Sequence, residues 1–224
     1  MRILNWNVAF LPNYLNLFKN SESIVFKVLD KIYTYSPDVI CLQEIFDLNV
    51  LKKVKNSLKS ENYDIHHSSL ENSLISRNGL LTASKIEILE KSEKDYENFM
   101  KLESFIKKGV ISSKIKEDLV IHNTQIQTPF FKNYLYLNRD YQIEQFSNYL
   151  KDFRYENNII CGDLNEDYFK DFTSKNKEII TFPGLNCQLD YILLDKSSDQ
   201  QFFIEDLTKS KISNHSLTLT ELKL

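Results

Sequence analysis

Glycine is almost missing from this chain: four residues in 224, matched by only four prolines. No Gly- or Pro-rich linker, repeat or low-complexity tract divides the sequence. One domain spanning residues 1–224 is therefore expected, a length that α/β and sandwich domains reach as one unit and that buries a sizeable core without staples. The three cysteines, Cys41, Cys161 and Cys187, are odd in number and far apart. They exclude a disulfide framework and a metal-type cysteine spacing. Cys41 and Cys161 sit inside apolar runs and read as buried free thiols, which fits a reducing compartment. No apolar run is long enough to cross a membrane as a helix. The chain passes from Met1 directly into a strand with no signal-peptide architecture, so a cytoplasmic location is expected. An excess of basic charge is lacking too, with a net charge of −3. Proteins that grip a nucleic-acid duplex usually display a basic face, and this balance gives no such signature. Lys52, Lys53, Lys55 and Lys59 fall on a predicted amphipathic helix and read as its solvated face.

What the sequence does contain is a series of strands that end in polar residues. Asn158-Ile159-Ile160-Cys161 is an apolar run that stops at Gly162-Asp163-Leu164-Asn165. A buried strand is a costly place for a carboxylate, and loops held by a rigid sheet often carry functional groups. Arg2 to Val8 reads as a strand with Asn5 and Asn7 on one face, because strand side chains repeat with period two. Asp38-Val39-Ile40-Cys41-Leu42 ends in Gln43-Glu44. Leu119-Val120-Ile121 leads into Asn123-Thr124-Gln125. Asp190 interrupts the apolar run Leu189 to Leu194, and Ser213-Asn214-His215 precedes the alternating run Ser216 to Leu222. Taken singly, each polar residue is explained by a turn or a solvated strand end. Their joint occurrence in this order is not.

The pattern of periodicities predicts strands at 2–8, 38–43, 63–67, 79–84, 108–115, 119–125, 157–162, 189–194, 201–205 and 216–222. It predicts helices at 21–35, 47–58 and 139–152. Residues 91–98 read as a loop, and 128–137 as a long connection. The aromatic group Phe130, Phe131, Tyr134 and Tyr136 lies in that connection. Exposed, it would meet a lipid surface or stack on bases; buried, it is core.

The ordered motifs Asn5-Trp6-Asn7, Gln43-Glu44, Asn123-Thr124, Gly162-Asp163-Leu164-Asn165, Leu189-Asp190-Tyr191 and Ser213-Asn214-His215 resemble those of the endonuclease/exonuclease/phosphatase superfamily. The resemblance runs from residue 2 to about residue 222. It implies a four-layer αββα sandwich, with two packed, mainly antiparallel mixed β-sheets between outer helices. It also implies a phosphoric ester hydrolase that uses Mg2+ or Mn2+. A hard cation takes oxygen ligands and keeps several waters, so a carboxylate and an amide oxygen suit it. Glu44 and Asn7 fit that role, and Asn214 is placed with them as a candidate metal position. Asp163 is the candidate to orient or deprotonate the attacking water. Asn165 would donate to a phosphoryl oxygen. His215 would contact the phosphate or transfer a proton, with Asp190 fixing its ring.

Two positions depart from the family pattern. Gln125 stands where sphingomyelinase-like relatives carry His, and Asn214 where the usual residue is Asp. Gln125 can donate a hydrogen bond to a phosphoryl group but cannot carry a proton or a charge. Three stretches lean toward the sphingomyelinase-like branch: Asn78 to Lys85, the Lys108-Gly109 pair, and Asn123 to Gln127. A phospholipid substrate is favoured over nucleic acid, with peripheral membrane contact and a monomeric chain expected. The alternatives are a nuclease or abasic-site repair enzyme, and a silent binding module motivated by Gln125 and Asn214.

Overall fold

The computed structural model describes residues 1–10, 21–69, 78–97, 107–127, 135–153, 157–165, 180–184, 186–194, 200–205 and 212–222. Its elements run β1 (Arg2–Phe10), α1 (Ser21–Tyr35), β2 (Val39–Ile45), α2 (Leu48–Ser60), β3 (Asp64–His67), β4 (Leu81–Ser84) and β5 (Glu90–Asp95). There follow β6 (Gly109–Lys116), β7 (Leu119–Gln125), α3 (Leu135–Leu150), β8 (Asn157–Asp163), β9 (Asp190–Leu194), β10 (Gln200–Glu205) and β11 (Leu217–Leu222).

The architecture follows from the two faces of β1. Leu4, Trp6 and Val8 point one way and pack with Val28 and Ile32 of α1 and Val54 and Leu58 of α2. Ile3, Asn5 and Asn7 point the other way. Ile3 joins Val39 and Cys41 of β2 in a cluster with Ile121, Ile159 and Cys161 of the second sheet. A third cluster sets Phe146 and Tyr149 of α3 against Val110 and Tyr191. The layers are therefore α1/α2, a sheet, a second sheet, and α3, which is the expected four-layer sandwich.

The first sheet has six strands in the order β10-β11-β1-β2-β4-β3, and the second has five in the order β5-β6-β7-β8-β9. Each sheet contains one parallel pair, β1 with β2 and β7 with β8; every other pairing is antiparallel. Parallel neighbours need a crossover, which α1 supplies in the first sheet and α3 in the second. The register sets Asn7 beside Gln43 and Gln125 beside Asp163. Both parallel pairs thus deliver polar side chains at their carboxyl ends.

The layer between the sheets changes chemistry along its length. At one end it is hydrocarbon and thiol. Further along, Gln43 donates to Asn5 Oδ1 and Asn123 Oδ1, each at 2.8 Å. Asn123 in turn donates to the carbonyls of Leu42 and Leu81 at 3.1 and 2.9 Å. This buried polar set ties one sheet to the backbone of the other. Beyond it lie the carboxylates.

Helix ends are marked as the sequence suggests. Asp47 caps α2, accepting from the backbone of Asn49 and Val50 at 2.8 and 3.1 Å, a bond of the kind that stabilises a helix start by about 1 kcal/mol. Ser36 ends α1 in a left-handed conformation, with φ of 44°, and Pro37 prevents continuation. One element differs from expectation. Residues 90–95, read mostly as loop, form the edge strand β5 against β6. Five of its six residues are exposed, so no apolar alternation marks it; its ladder partner makes it a strand. Phe130, Phe131 and Tyr134 lie outside the described residues, as does the side chain of Tyr136. Among the described residues, no helix is long and apolar enough to cross a membrane.

Candidate active site

Six side chains from five strands and one loop converge where the two parallel pairs end. Asn7 of β1 donates from Nδ2 to Asp163 Oδ2 of β8 at 2.9 Å, across the two sheets. Gln125 of β7 donates from Nε2 to Glu44 Oε1 of β2 at 2.6 Å, and to Asp163 Oδ2 at 3.4 Å. Asp190 of β9 meets His215 through Oδ2 and Nδ1 at 2.8 Å. The ligand atoms of Asp163, Asp190 and His215 lie within 4.8 Å of one another.

Local structure aims these groups. A Cβ on Gly162 would overlap the carbonyl oxygen of Thr124, so only glycine lets β8 lie against β7 just before Asp163. Glu44 and Asn165 both adopt left-handed backbone, at φ of 63° and 50°. Such strain persists in non-glycine residues only when the surroundings hold it, and it collects at functional sites. Asn165 is held from both ends: its backbone N–H donates to Asp163 Oδ1 at 3.2 Å and its side chain to the Ile126 carbonyl at 2.8 Å. Ser213 anchors the last motif, donating to the Asn7 carbonyl at 2.7 Å and accepting from the His215 N–H at 3.1 Å. Trp6 donates to the His215 carbonyl at 3.3 Å.

The charges are strongly coupled. Burial raises the Asp163 carboxyl, the His215 charge opposes this, and Asp190 and Glu44 add to it, leaving Asp163 at about 6. Burial works against a charged His215, but the charge and hydrogen bond of Asp190, with Asp163 and Glu44 behind it, lift the imidazole to about 9. Burial would raise Glu44 as well. Lys108 chiefly, then the Gln125 hydrogen bond, outweigh it and hold this carboxyl below its usual range.

Seven of the eight residues expected from sequence belong to this connected set. Asn214 does not: it is exposed between the buried Ser213 and His215. The donor hydrogens of Gln125 face carboxylates, and its Oε1 is buried without a partner. Asp190 Oδ1 is in the same condition. Oxygen donors dominate the site, and Glu44 keeps 21% of its side chain accessible. That set fits a hard divalent cation; Glu44 is the partly accessible carboxylate, while Asn7 is buried with its Oδ1 accepting from the Ala9 N–H at 3.1 Å.

Three contributors escape a reading of the sequence as site residues. Lys108 is buried, with Nζ 3.7 Å from Glu44 Oε1. It enters through Gly109, where a Cβ would stand 2.6 Å from the Lys94 carbonyl. The Lys-Gly pair was the available signal, but two adjacent lysines look solvated. Thr181 accepts at Oγ1 from the N–H groups of Leu189 and Asp190, both at 2.9 Å, and Phe182 sets its ring edge on His215, centroids 4.9 Å apart. No strand or motif announces that turn.

The fold has close counterparts among solved structures. Sphingomyelinase C from Streptomyces griseocarneus superposes with a TM-score of 0.79 at 14% identity, covering 100% of this chain and 99% of that one. A beta toxin variant from Staphylococcus aureus with bound magnesium ions gives 0.79 at 17% identity, with 99% of each chain covered. An endonuclease/exonuclease/phosphatase family protein from Leptotrichia buccalis gives 0.71 at 15%, with all of both chains covered. At such identities the likeness is one of fold. No curated protein matches the sequence. The family model for the Endonuclease/Exonuclease/phosphatase family, however, matches residues 4–205. The chain belongs to that family of metal-dependent phosphoric ester hydrolases.

Proposed function

We propose that this protein is a Mg2+-dependent phosphodiesterase whose substrate is a phospholipid head group of the sphingomyelin type. The observation that carries the reading is the pairing of two environments. Asp163 sits at about 6 and His215 at about 9, in reach of each other beside the oxygen donors Glu44 and Asn7. At neutral pH the first is an ionised base and the second a charged acid, and groups whose pKa values are driven apart in this way divide acid and base roles.

Glu44 and Asn7 would hold the cation, which when bound polarises a phosphoryl oxygen and neutralises developing charge. Asp163 orients the attacking water and accepts its proton. Its Oδ2 is fixed by Asn7 and Gln125, so the carboxylate does not rotate away. His215 keeps its Nδ1 on Asp190 and presents the other ring nitrogen to the phosphate, stabilising charge on the ester as the bond to the leaving group breaks. Lys108 offsets the charge of Glu44 and keeps it ionised. Asn165 is a neutral donor beside Asp163. Asn214 is exposed and next to His215 in sequence, and is retained as an outer contact to a hydrated ion. The lipid preference is supported by the Asn78–Lys85, Lys108-Gly109 and Asn123–Gln127 stretches, by the net charge of −3, and by the similarity to a protein named sphingomyelinase C.

The test is a substrate panel: bis-para-nitrophenyl phosphate, sphingomyelin vesicles and abasic duplex DNA, each with Mg2+, Mn2+ or chelator. Turnover of the first two in Mg2+, lost on chelation and reduced at least about 100-fold in Glu44→Gln, is expected. Near-native turnover of Glu44→Gln at low Mg2+ removes the metal assignment. Preferred cleavage of abasic DNA replaces the lipid substrate with a nucleic acid.

A further inference from the structure

Outside the site, one cleft combines shape and charge. It lies between α2 and the edge strand β3, has a volume of about 250 Å3, and is lined by Leu48, Leu51, Lys52, Lys55, Lys59 and His67 among others. Lysines 52, 55 and 59 are three and four residues apart, so they share one face of the helix. Among the described residues no carboxylate pairs with any of them, and none lines the cleft. The neighbouring Glu93 is turned to Ser69, accepting from its backbone N–H and its hydroxyl.

The arrangement around His67 is built rather than incidental. His67 Nδ1 lies 2.8 Å from the Ser68 carbonyl, which can only accept, so Nδ1 carries the proton. Its Nε2 therefore accepts from Lys55 Nζ, 2.7 Å away. Lys55 keeps its remaining N–H groups for another acceptor, with buried Leu51 beneath. An apolar floor, a half-buried ammonium fixed by a neutral imidazole, and two exposed lysines at the rim form a receptor for a phosphate group attached to an apolar body.

Position selects the source of that phosphate. β3 runs parallel to β2 with β4 between them, and the register puts His67 and Leu42 on either side of Leu81. The His67 end of the cleft thus lies toward the same sheet end as Glu44, two strands or about 10 Å across the sheet. The lysines span about 10 Å of helix, enough for one head group and short of a stripe that tracks a duplex. Screening confines electrostatics to roughly 8 Å at physiological salt, so the overall charge of −3 does not cancel a local basic cleft.

We propose that this cleft binds the phosphate of an anionic phospholipid in a bilayer, docking the protein so that the site faces the same surface. The inference rests on the lipid reading of that site, and the test separates the two. Wild type, Lys52→Gln/Lys59→Gln and Lys55→Gln are floated with phosphatidylcholine vesicles, with or without phosphatidic acid, in magnesium-free buffer. Each lysine near an anionic surface is worth about five-fold in affinity, so the double variant should bind acidic vesicles about 25-fold more weakly. Binding to neutral vesicles should not change, nor should turnover of bis-para-nitrophenyl phosphate assayed separately with Mg2+. Equal binding of wild type to both vesicle types, or equal binding by all three proteins, overturns the proposal. So does full competition by millimolar inorganic phosphate, which would make the cleft a small-anion site. Normal acidic-vesicle binding, with no sphingomyelin hydrolysis once Mg2+ is supplied, leaves the cleft assigned and overturns only the substrate.

Discussion

The side-chain nitrogen of Gln125 lies 2.6 Å from Oε1 of Glu44. The residue that departs from the sphingomyelinase-like pattern is thus bonded to the foremost candidate metal ligand, with Asp163 as its second, longer partner. Its hydrogen bond favours the ionised form of Glu44 and links that carboxylate to Asp163. A contact to a phosphoryl oxygen would require one of those donor hydrogens to turn outward. Gln125→Ala should therefore lower kcat/KM by about 10- to 100-fold and raise the Mg2+ concentration needed for half activity. Gln125→His keeps a donor, adds charge, and should match or exceed the native rate. Metal titration of activity in the three proteins checks this, and an unchanged Mg2+ requirement in Gln125→Ala would separate Gln125 from Glu44.

On the proposed mechanism Asp163 and His215 serve one step, so they should not contribute independently. Asp163→Asn and His215→Ala are each expected to reduce kcat by about 10²- to 10⁴-fold, and the double variant by little more than the worse single one. Fully multiplicative losses would show separate roles.

In metal-free protein the His215 imidazole should titrate at about 9 by NMR. Because the folded value exceeds the usual one of about 6.5, its stabilisation is complete below about 6.5 and disappears as the pH rises through 9. Asp190→Asn removes the chief charge opposing burial, and the ring should then titrate at a lower pH than in the native protein. A titration unmoved by Asp190→Asn would dissolve the pair.

His66 gives the opposite sign at a distance from the site. Burial, then the charge of Lys91, lowers its imidazole to about 4, while its Nδ1 lies 2.9 Å from Ser113 Oγ. Unfolded chains protonate this ring at about 6.5, so its contribution is present above that value and is lost as the pH falls toward 4. The loss is on the order of 3 kcal/mol. Denaturant melts of native protein and His66→Gln between pH 4 and 7 should diverge in slope, and parallel curves would argue against a buried neutral ring.

Gly162→Ala should destabilise by about 2 kcal/mol or more, since the added methyl overlaps the Thr124 carbonyl in the β7–β8 ladder. Urea midpoints measure it. Activity should fall along with stability, because Asp163 is the next residue.

Much of this was readable in residues whose neighbours in sequence are also their neighbours in structure. The alternation of β1, the helical spacing of Val25, Val28, Leu29 and Ile32, and the polar strand ends at Glu44 and Asp163 are local signals. β5 was hidden because an edge strand exposed on nearly all its length carries no apolar period. Lys108 was hidden because its burial is decided by Glu44, 64 positions earlier in the chain. Thr181 and Phe182 act through an isolated bridge, Phe182 with Cys187, that no periodicity announces. Asn214 shows the reverse case: the motif names a position, and the backbone turn sends its side chain outward.

The assembly of the site across two sheets has a kinetic consequence. Neither sheet holds a complete set: Asn7, Glu44 and His215 come with the first, Gln125, Asp163 and Asp190 with the second. Contacts this distant in sequence close late and slowly. During refolding, catalytic competence should return with the docking of the sheets, behind the recovery of helical signal and behind the enclosure of Trp6, which reports only the packing of α1 and α2 on the first sheet. The same dependence makes turnover a direct clock for sheet docking in this protein.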